Sequence, residues 1–429
     1  MQMIIRRDHS LQQLIDKKEN GLVKVITGIR RCGKSFLLFN LFYDYLLESG
    51  VKEEQIISIA LDDDTFVQYR EPEALSKYIR SKIADKEMYY VLIDEVQYAI
   101  TKEELKNPEN IRLYNVLNGL LRLRNVDIYV TGSNSKMLTK DVLTAFRGRG
   151  DEIRVYPISF QEYYSFAGGD KSDAYEEYAL YGGMPLVLNK KSEAEKMSYL
   201  QTLFTEVYFK DIMERYDIGL PDVLAELTDA LCSSVGSLTN VNKIKNTLQT
   251  VKNIQVSNTT LSNYLEYLSE SFLFSNAKRY DVKGKKYFEY PSKYYCTDIG
   301  LRNARLNFRQ QEETHIMENI IYNELLCRGY SVDVGVVEIT ETSAGKKTKK
   351  QCEIDFILNQ GAKKYYIQSA LSVSEQSKLE TELRPLKNTK DFFKKILISK
   401  TSMKPWTDED GILRLGLYEF LLNENSLEL

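Results

Sequence analysis

The chain has 429 residues, too many for one ordinary core, so two or more domains are expected. Its 43% hydrophobic and 28% charged residues, with 8 Pro and 22 Gly, exclude a fibrous, low-complexity or largely disordered protein. A net charge of −3 excludes a globally basic nucleic-acid binder, two histidines exclude a histidine-built metal cluster, and five cysteines without a C-x-x-C pair exclude a zinc ribbon.

The N-terminus, MQMIIRRDHS, has no apolar leader core. The longest apolar run, FLLFNLFYDYLL at 36–47, is about half a membrane span and is broken by Asn40 and Asp44. A cytoplasmic protein with no membrane partner is expected. From residue 1 to about 160, the runs GLVKVITG, QIISIALDD, YYVLIDEV and VDIYVTGS alternate with helical patterns. That alternation predicts a parallel sheet with helices on both faces.

Between the first strand and the first long helix lies GIRRCGKS, a full G-x-x-x-x-G-K-[ST] loop: Gly28, Ile29, Arg30, Arg31, Cys32, Gly33, Lys34, Ser35, with Phe36 opening the helix. Glycines let successive backbone N–H groups turn inward around a phosphate, and the helix N-terminus adds its positive dipole. Lys34 would reach the β- and γ-phosphates, and the Ser35 hydroxyl would ligate Mg²⁺. The acidic pair such a site needs follows the buried strand YYVLI. Asp94 would hold the metal and Glu95 would polarise the attacking water. ATP, ADP and Mg²⁺ are the expected ligands. After VDIYVT, Ser133 or Asn134 is placed to sense the γ-phosphate, with simple capping of the next turn as the alternative. Arg147 and Arg149 flank Gly148; Arg149 is the preferred arginine for a nucleotide-linked role, within one chain or towards a neighbour in a homo-oligomer.

From 160 to 280 the pattern is helical, interrupted by Gly182-Gly183 and Pro185 in YGGMPLVL. Residues 240–290 read as a short helix, a polar turn, and a second helix capped by Ser257 or Asn258. That second helix carries the stripe Leu261, Tyr264, Leu265, Leu268. A basic two-strand hairpin follows, with Lys278, Arg279, Lys283, Lys285 and Lys286. This is the rhythm of a winged helix, open between DNA contact and protein docking.

At the C-terminal end, the helix HIMENIIYNELLCRGY precedes the strands QCEIDFIL and KKYYIQSALS. Metal-dependent nucleases of restriction-endonuclease type place a carboxylate on a helix, Asp at a strand end and Glu/Gln-x-Lys on the next strand. Glu318, Asp355 and Gln368 fill those slots, but Ala370 stands where the lysine belongs. Gln368 brings no charge to a hard cation, and no lysine is visible at the neighbouring inward positions. A nuclease-like domain that has lost cleavage is therefore expected. The lysine-rich stretch ETSAGKKTKKQ at 341–351 is open between a phosphate grip and a solvated turn.

ITGIRRCGKS, VLIDEVQ, VTGSNSKML, GRGDEIRVYPISFQEY and YGGMPLVL, in that order, resemble a bacterial and archaeal family of AAA-type P-loop ATPases. These ATPases are of the signal-transduction (STAND-related) kind and carry a C-terminal domain of unknown function. The resemblance implies an α/β protein: an AAA-like core at 1–160, a helical lid at 161–218, a winged-helix region at 219–290 and a restriction-endonuclease-like domain (PD-(D/E)XK type) at 291–429. The expected function is an Mg²⁺-dependent ATP-hydrolysing switch, with DNA or a protein as further partner. An ATP-coupled nuclease and a non-hydrolysing ATP-binding scaffold are the rivals.

Overall fold

The five strands that the first half supplies are β1 (Val23–Thr27), β2 (Ile56–Ala60), β3 (Tyr89–Asp94), β4 (Val126–Thr131) and β5 (Gly150–Arg154). They form one all-parallel sheet in the order β2-β3-β4-β1-β5. The computed structural model describes residues 5–101, 103–104, 111–132, 148–288, 291–343, 346–373 and 375–429, and only the backbone of 341–343 and 346–347. It divides into two units, Met1–Ile158 with Glu270–Phe272, and Ser159–Ser269 with Leu273–Leu429.

In the first unit β1, β3 and β4 are buried along their whole length, as strands covered on both faces must be. Leu75 and Ile79 of the helix Pro72–Lys82 and Leu113 and Leu117 of the helix Arg112–Leu120 close one core with Val23, Val91 and Ile128. After the glycine loop, a helical run passes without a break through Lys34–Phe36, the π-helical Leu37–Phe42, and Tyr43–Glu48. Its Leu37, Leu38, Phe42 and Leu46 are buried while Asn40 and Asp44 are exposed, which makes it amphipathic. At the N-terminal end of the sheet Lys24 and Asp127 form a buried ion pair, and Tyr129 Oη donates to Asp127 at 2.9 Å. Burial draws the Lys24 ammonium below its ordinary range.

The second unit begins with helices. Gly182 and Gly183 end the helix Lys171–Tyr181 because a carboxylate needs the space. A Cβ on Gly182 would lie 2.4 Å from Asp298 Oδ1, and Gly183 N donates to Asp298 Oδ2 at 2.7 Å. The helix Asn258–Glu270 buries Leu261, Tyr264, Leu265 and Leu268, the stripe read from the sequence. The strands are β6 (Leu238–Thr239), β7 (Phe274–Ala277), β8 (Arg279–Asp281), β9 (Lys286–Tyr287), β10 (Ser292–Cys296), β11 (Ser331–Ser343), β12 (Lys346–Gln360), β13 (Lys363–Ala370), β14 (Lys394–Ser399), β15 (Trp406–Thr407) and β16 (Ile412–Gly416). They make a small sheet β6-β10-β7 and a mixed sheet β15-β16-β14-β13-β12-β11-β8-β9. The basic hairpin β8–β9 forms, with Asp281 opposite Lys286, and β8 also pairs in parallel with β11, so the hairpin is the edge of the larger sheet. Among the described residues no helix is long and apolar enough to cross a membrane.

Candidate functional site

Gly28 sits at φ +144°, and a Cβ there would lie 2.2 Å from the Val155 carbonyl oxygen. Only glycine lets the loop pass this close to the segment after β5. Gly33, at φ +101°, starts the helix. Lys34 is buried, and its Nζ donates to the carbonyls of Gly28 at 2.9 Å and Ile29 at 3.0 Å. The ammonium is thus held inside the curve of the loop. Cys32 is buried, with its Sγ 3.5 Å from Val155 O, while Arg31 is exposed at φ +61°. Arg7, which belongs to no motif, staples this loop. Its guanidinium donates to Cys32 O at 2.9 Å and Tyr156 O at 2.7 Å. A single arginine 25 residues before its partner has no sequence signature.

Asp94 ends β3 at the carboxyl edge of the sheet, where open α/β sheets bind ligands. Burial raises its carboxyl above the usual range, and hydrogen bonds from the Ser35 and Thr131 hydroxyls pull it back part of the way. Glu95 takes the left-handed conformation, φ +53°, and its N–H donates to Thr131 Oγ1 at 3.0 Å. Its carboxylate accepts from Gln97 Nε2. Thr131 lies at the end of β4, the strand between β1 and β3, and its hydroxyl also donates to Asp94. One threonine side chain therefore ties both members of the acidic pair. The loop, its helix and the acidic strand are brought together through Ser35, Asp94 and Thr131.

These residues fit a nucleotide with a divalent cation. A cradle closed to any Cβ, a lysine at its centre, and a hydroxyl beside a buried carboxylate are what triphosphate and Mg²⁺ require. Ser133, Asn134 and Arg147 lie outside the described residues. Arg149 is not brought to the loop. It is exposed just before β5, and its carbonyl accepts from Val23 N at 2.8 Å, at the opposite end of β1. The arginine that β5 aligns with Thr27, beside the loop, is Arg154.

In the second unit Glu318, Asp355 and Gln368 do share one neighbourhood, and each has a partner that motif reading did not supply. Glu318 lies on the buried side of the helix Glu313–Cys327. Lys293, on β10 and 3% exposed, donates to Glu318 Oε1 at 2.8 Å and Glu353 Oε1 at 2.7 Å. Tyr295 Oη donates to the same Glu318 oxygen at 2.7 Å. Burial opposes the Lys293 charge, but Glu318, Asp355 and Glu353 together outweigh it and hold the ammonium above its ordinary range. Glu318, with one cation and the Asp355 charge nearby, is pushed by burial up to about 7.

A register slip between Asp333↔Ile357 and Gly335↔Ile354 bulges β12 at Asp355. Asp355 then accepts from Ser369 N at 2.8 Å and Ser369 Oγ at 2.7 Å. Gln368 donates to Glu382 Oε2 at 3.0 Å, a bond that a glutamate could not make without like-charge repulsion. Ala370 is buried with Leu383, Leu386 and Leu397, where a lysine would be desolvated. No lysine comes from the hairpin itself, but one comes from elsewhere: Lys293 reaches the cluster from β10, about sixty residues upstream. Among the described residues no three His, Cys, Asp or Glu side chains are arranged to hold a metal ion. The carboxylates here are held instead by an ammonium, a phenol and a serine.

An AAA domain family model matches residues 20–164, and a domain of unknown function matches residues 172–312. A Haemophilus influenzae protein described as uncharacterized is 33% identical over 425 residues, covering 98% of this chain and 99% of its own. A Methanocaldococcus jannaschii protein, likewise described, is 26% identical over 397 residues, covering 89% of this chain and 80% of its own. Solved structures that match include the Aeropyrum pernix Orc1 protein in complex with DNA, at 11% identity and TM-score 0.30, covering 72% of this chain and 94% of that one. Another is Cdc6p from Pyrobaculum aerophilum, at 13% identity and TM-score 0.28, covering 75% and 95%. Scores this low do not define a shared overall architecture.

Proposed function

The chain belongs to the family of the Haemophilus influenzae protein that it matches end to end, and it carries an AAA domain; from that premise we propose that it is an Mg²⁺-dependent, ATP-hydrolysing switch that responds to DNA. The observation that best supports this reading is the meeting of Ser35, Asp94 and Thr131 beside a glycine loop with Lys34 at its centre.

The backbone N–H groups of residues 28–35 would receive the phosphates, and Lys34 would exchange its carbonyl partners for phosphate oxygens. Ser35 and Asp94 would hold Mg²⁺, which neutralises charge on the transferred phosphoryl group. Glu95 would orient the attacking water, with Thr131 fixing its backbone. Ser133 or Asn134, following Thr131, is proposed as the γ-phosphate sensor. Arg149, at the far end of β1, would serve only a neighbouring subunit's nucleotide, which requires a homo-oligomer.

We propose the four-part division at 160, 218 and 290; β8, which lies before the last boundary, pairs with β11 of the C-terminal sheet. The C-terminal domain is read as a binding element rather than a nuclease, because Lys293 takes up Glu318 and Glu353, and Ala370 is apolar core.

Phosphate release and nucleotide calorimetry test this. K34A should lose ATP binding, and E95Q should keep binding and lose turnover. Adding DNA should change the wild-type rate. Unaltered ATP affinity in K34A overturns the phosphate site, and wild-type turnover in E95Q moves the base elsewhere.

A further inference from the structure

A set of rings and cations reaches across the eight-stranded sheet from β13 to the edge hairpin β8–β9, and the ATP site does not use it. Lys364 Nζ lies 5.0 Å from the Tyr280 ring centre, 5.3 Å from Phe393 and 5.6 Å from Tyr366. Tyr287 continues the row, 5.1 Å from Tyr280 and close to edge-on. Tyr287 is 56% exposed, Phe393 44% and the adjoining Phe392 106%. Contiguous exposed rings are unusual on a monomer and mark a surface that is covered in use. Around them Lys278, Lys285 and Lys286 are exposed. Of the acids nearby, Asp333 is buried and accepts from Tyr287 Oη at 2.8 Å, Asp391 accepts from Tyr366 Oη at 2.7 Å, and Asp281 accepts from the Lys283 and Gly284 N–H groups in the hairpin turn. Lys278, Lys285, Lys286 and Lys364 stand against these three carboxylates, so the patch is locally basic although the chain as a whole is not.

We propose that this patch binds single-stranded nucleic acid, with unpaired bases stacked on Tyr287 and Phe393 and the backbone phosphates met by Lys278, Lys285 and Lys286. Lys364 in its ring of aromatics holds Tyr280, Tyr366 and Phe393 in place and adds positive charge beneath the stack. Rings flanked by lysines suit single strands, because a duplex keeps its bases stacked on each other and offers only phosphate. An acidic protein would need the lysines but not the exposed rings. The inference rests on the reading of the C-terminal half as nucleic-acid-binding and is independent of the ATP site.

The test is fluorescence anisotropy of the full chain, without nucleotide, on a labelled twenty-base oligo-dT and on a duplex of the same length. Oligo-dT should bind more tightly than duplex. Y287A should weaken it about tenfold and Y287F should retain it, since stacking survives without the hydroxyl. K285E/K286E should reduce the slope of log affinity against log salt by about 0.7 for each phosphate no longer neutralised. Oligo-dT binding that Y287A, F393A and K285E/K286E all leave intact overturns this site while the DNA reading stands. Duplex preferred over oligo-dT overturns the stacking. No binding to either overturns both.

Discussion

Replacing Lys293 by methionine keeps the stem and removes the charge at the one cation that bridges Glu318 and Glu353. Removing one partner of a buried ion pair costs about 3–5 kcal/mol, because the other charge is left without compensation. Here Glu318 can escape part of that cost by taking a proton. Its carboxyl already stands at about 7 against an ordinary 4.5, with burial as the main cause and Lys293 opposing it. The folded value is raised, so the group's contribution is complete below about 4.5 and is lost as pH rises through about 7. That span corresponds to roughly 3 kcal/mol at about 1.4 kcal/mol per unit. In K293M the opposing cation is gone, the carboxyl rises further, and the loss extends above pH 7. Urea denaturation of wild type and K293M at pH 5.5 and pH 8 measures this. The variant should be less stable by about 3–5 kcal/mol at pH 8 and by clearly less at pH 5.5. A difference under about 1 kcal/mol at pH 8, or a larger one at pH 5.5, refutes Lys293 as the cation of this cluster.

Thr131→Val keeps the shape of the β4 end and removes the hydroxyl shared by Asp94 and Glu95. It should lower ATP turnover about ten- to a hundredfold, since a bond to a charged group contributes about 1.5–3 kcal/mol, with nucleotide affinity little changed; wild-type phosphate release rules out the tether. Purified protein with Mg²⁺ or Mn²⁺ should leave plasmid and single-stranded DNA intact on a gel. Cutting that Asp355→Ala stops would show the C-terminal cluster to be live. Gly28→Ala should abolish nucleotide binding and destabilise the first unit, because its Cβ would meet the Val155 carbonyl at 2.2 Å. Normal calorimetric affinity in that variant would mean the loop can open there without loss.

The phosphate loop was legible because its chemistry is local. Strand, glycines, lysine, serine and helix follow one another, and the pattern carries its own geometry. The acidic pair was legible for the same reason, at the end of an apolar strand. The stripe of the helix Asn258–Glu270 was read correctly from its 3.6-residue period, and all four of its apolar residues are buried. The sequence marks a polar residue at the end of β4, but which one ties the acidic pair is decided by the hydrogen bonds of Thr131 to Asp94 and Glu95. Arg149 stands beside Gly148 in the sequence, and the parallel register carries it to the end of the sheet opposite its own chain's glycine loop. The basic hairpin is legible in the sequence, but its place is not: pairing of β8 with β11 depends on residues more than fifty positions apart.

By itself the sequence determined the glycine loop between strand and helix, the acidic pair that ends β3, the helical middle and the order in which Glu318, Asp355 and Gln368 follow one another. Those are periodic or contiguous patterns, and local backbone chemistry enforces them. Only the tertiary structure decided which charges compensate which. Arg7 reaches the glycine loop, Lys293 reaches Glu318, and Lys364 reaches Tyr280 on β8 and Phe393 ahead of β14 as well as Tyr366 on its own strand. Burial makes an uncompensated charge costly, but which partner compensates it depends on strand order and register, and a one-residue bulge at Asp355 is enough to re-aim a carboxylate.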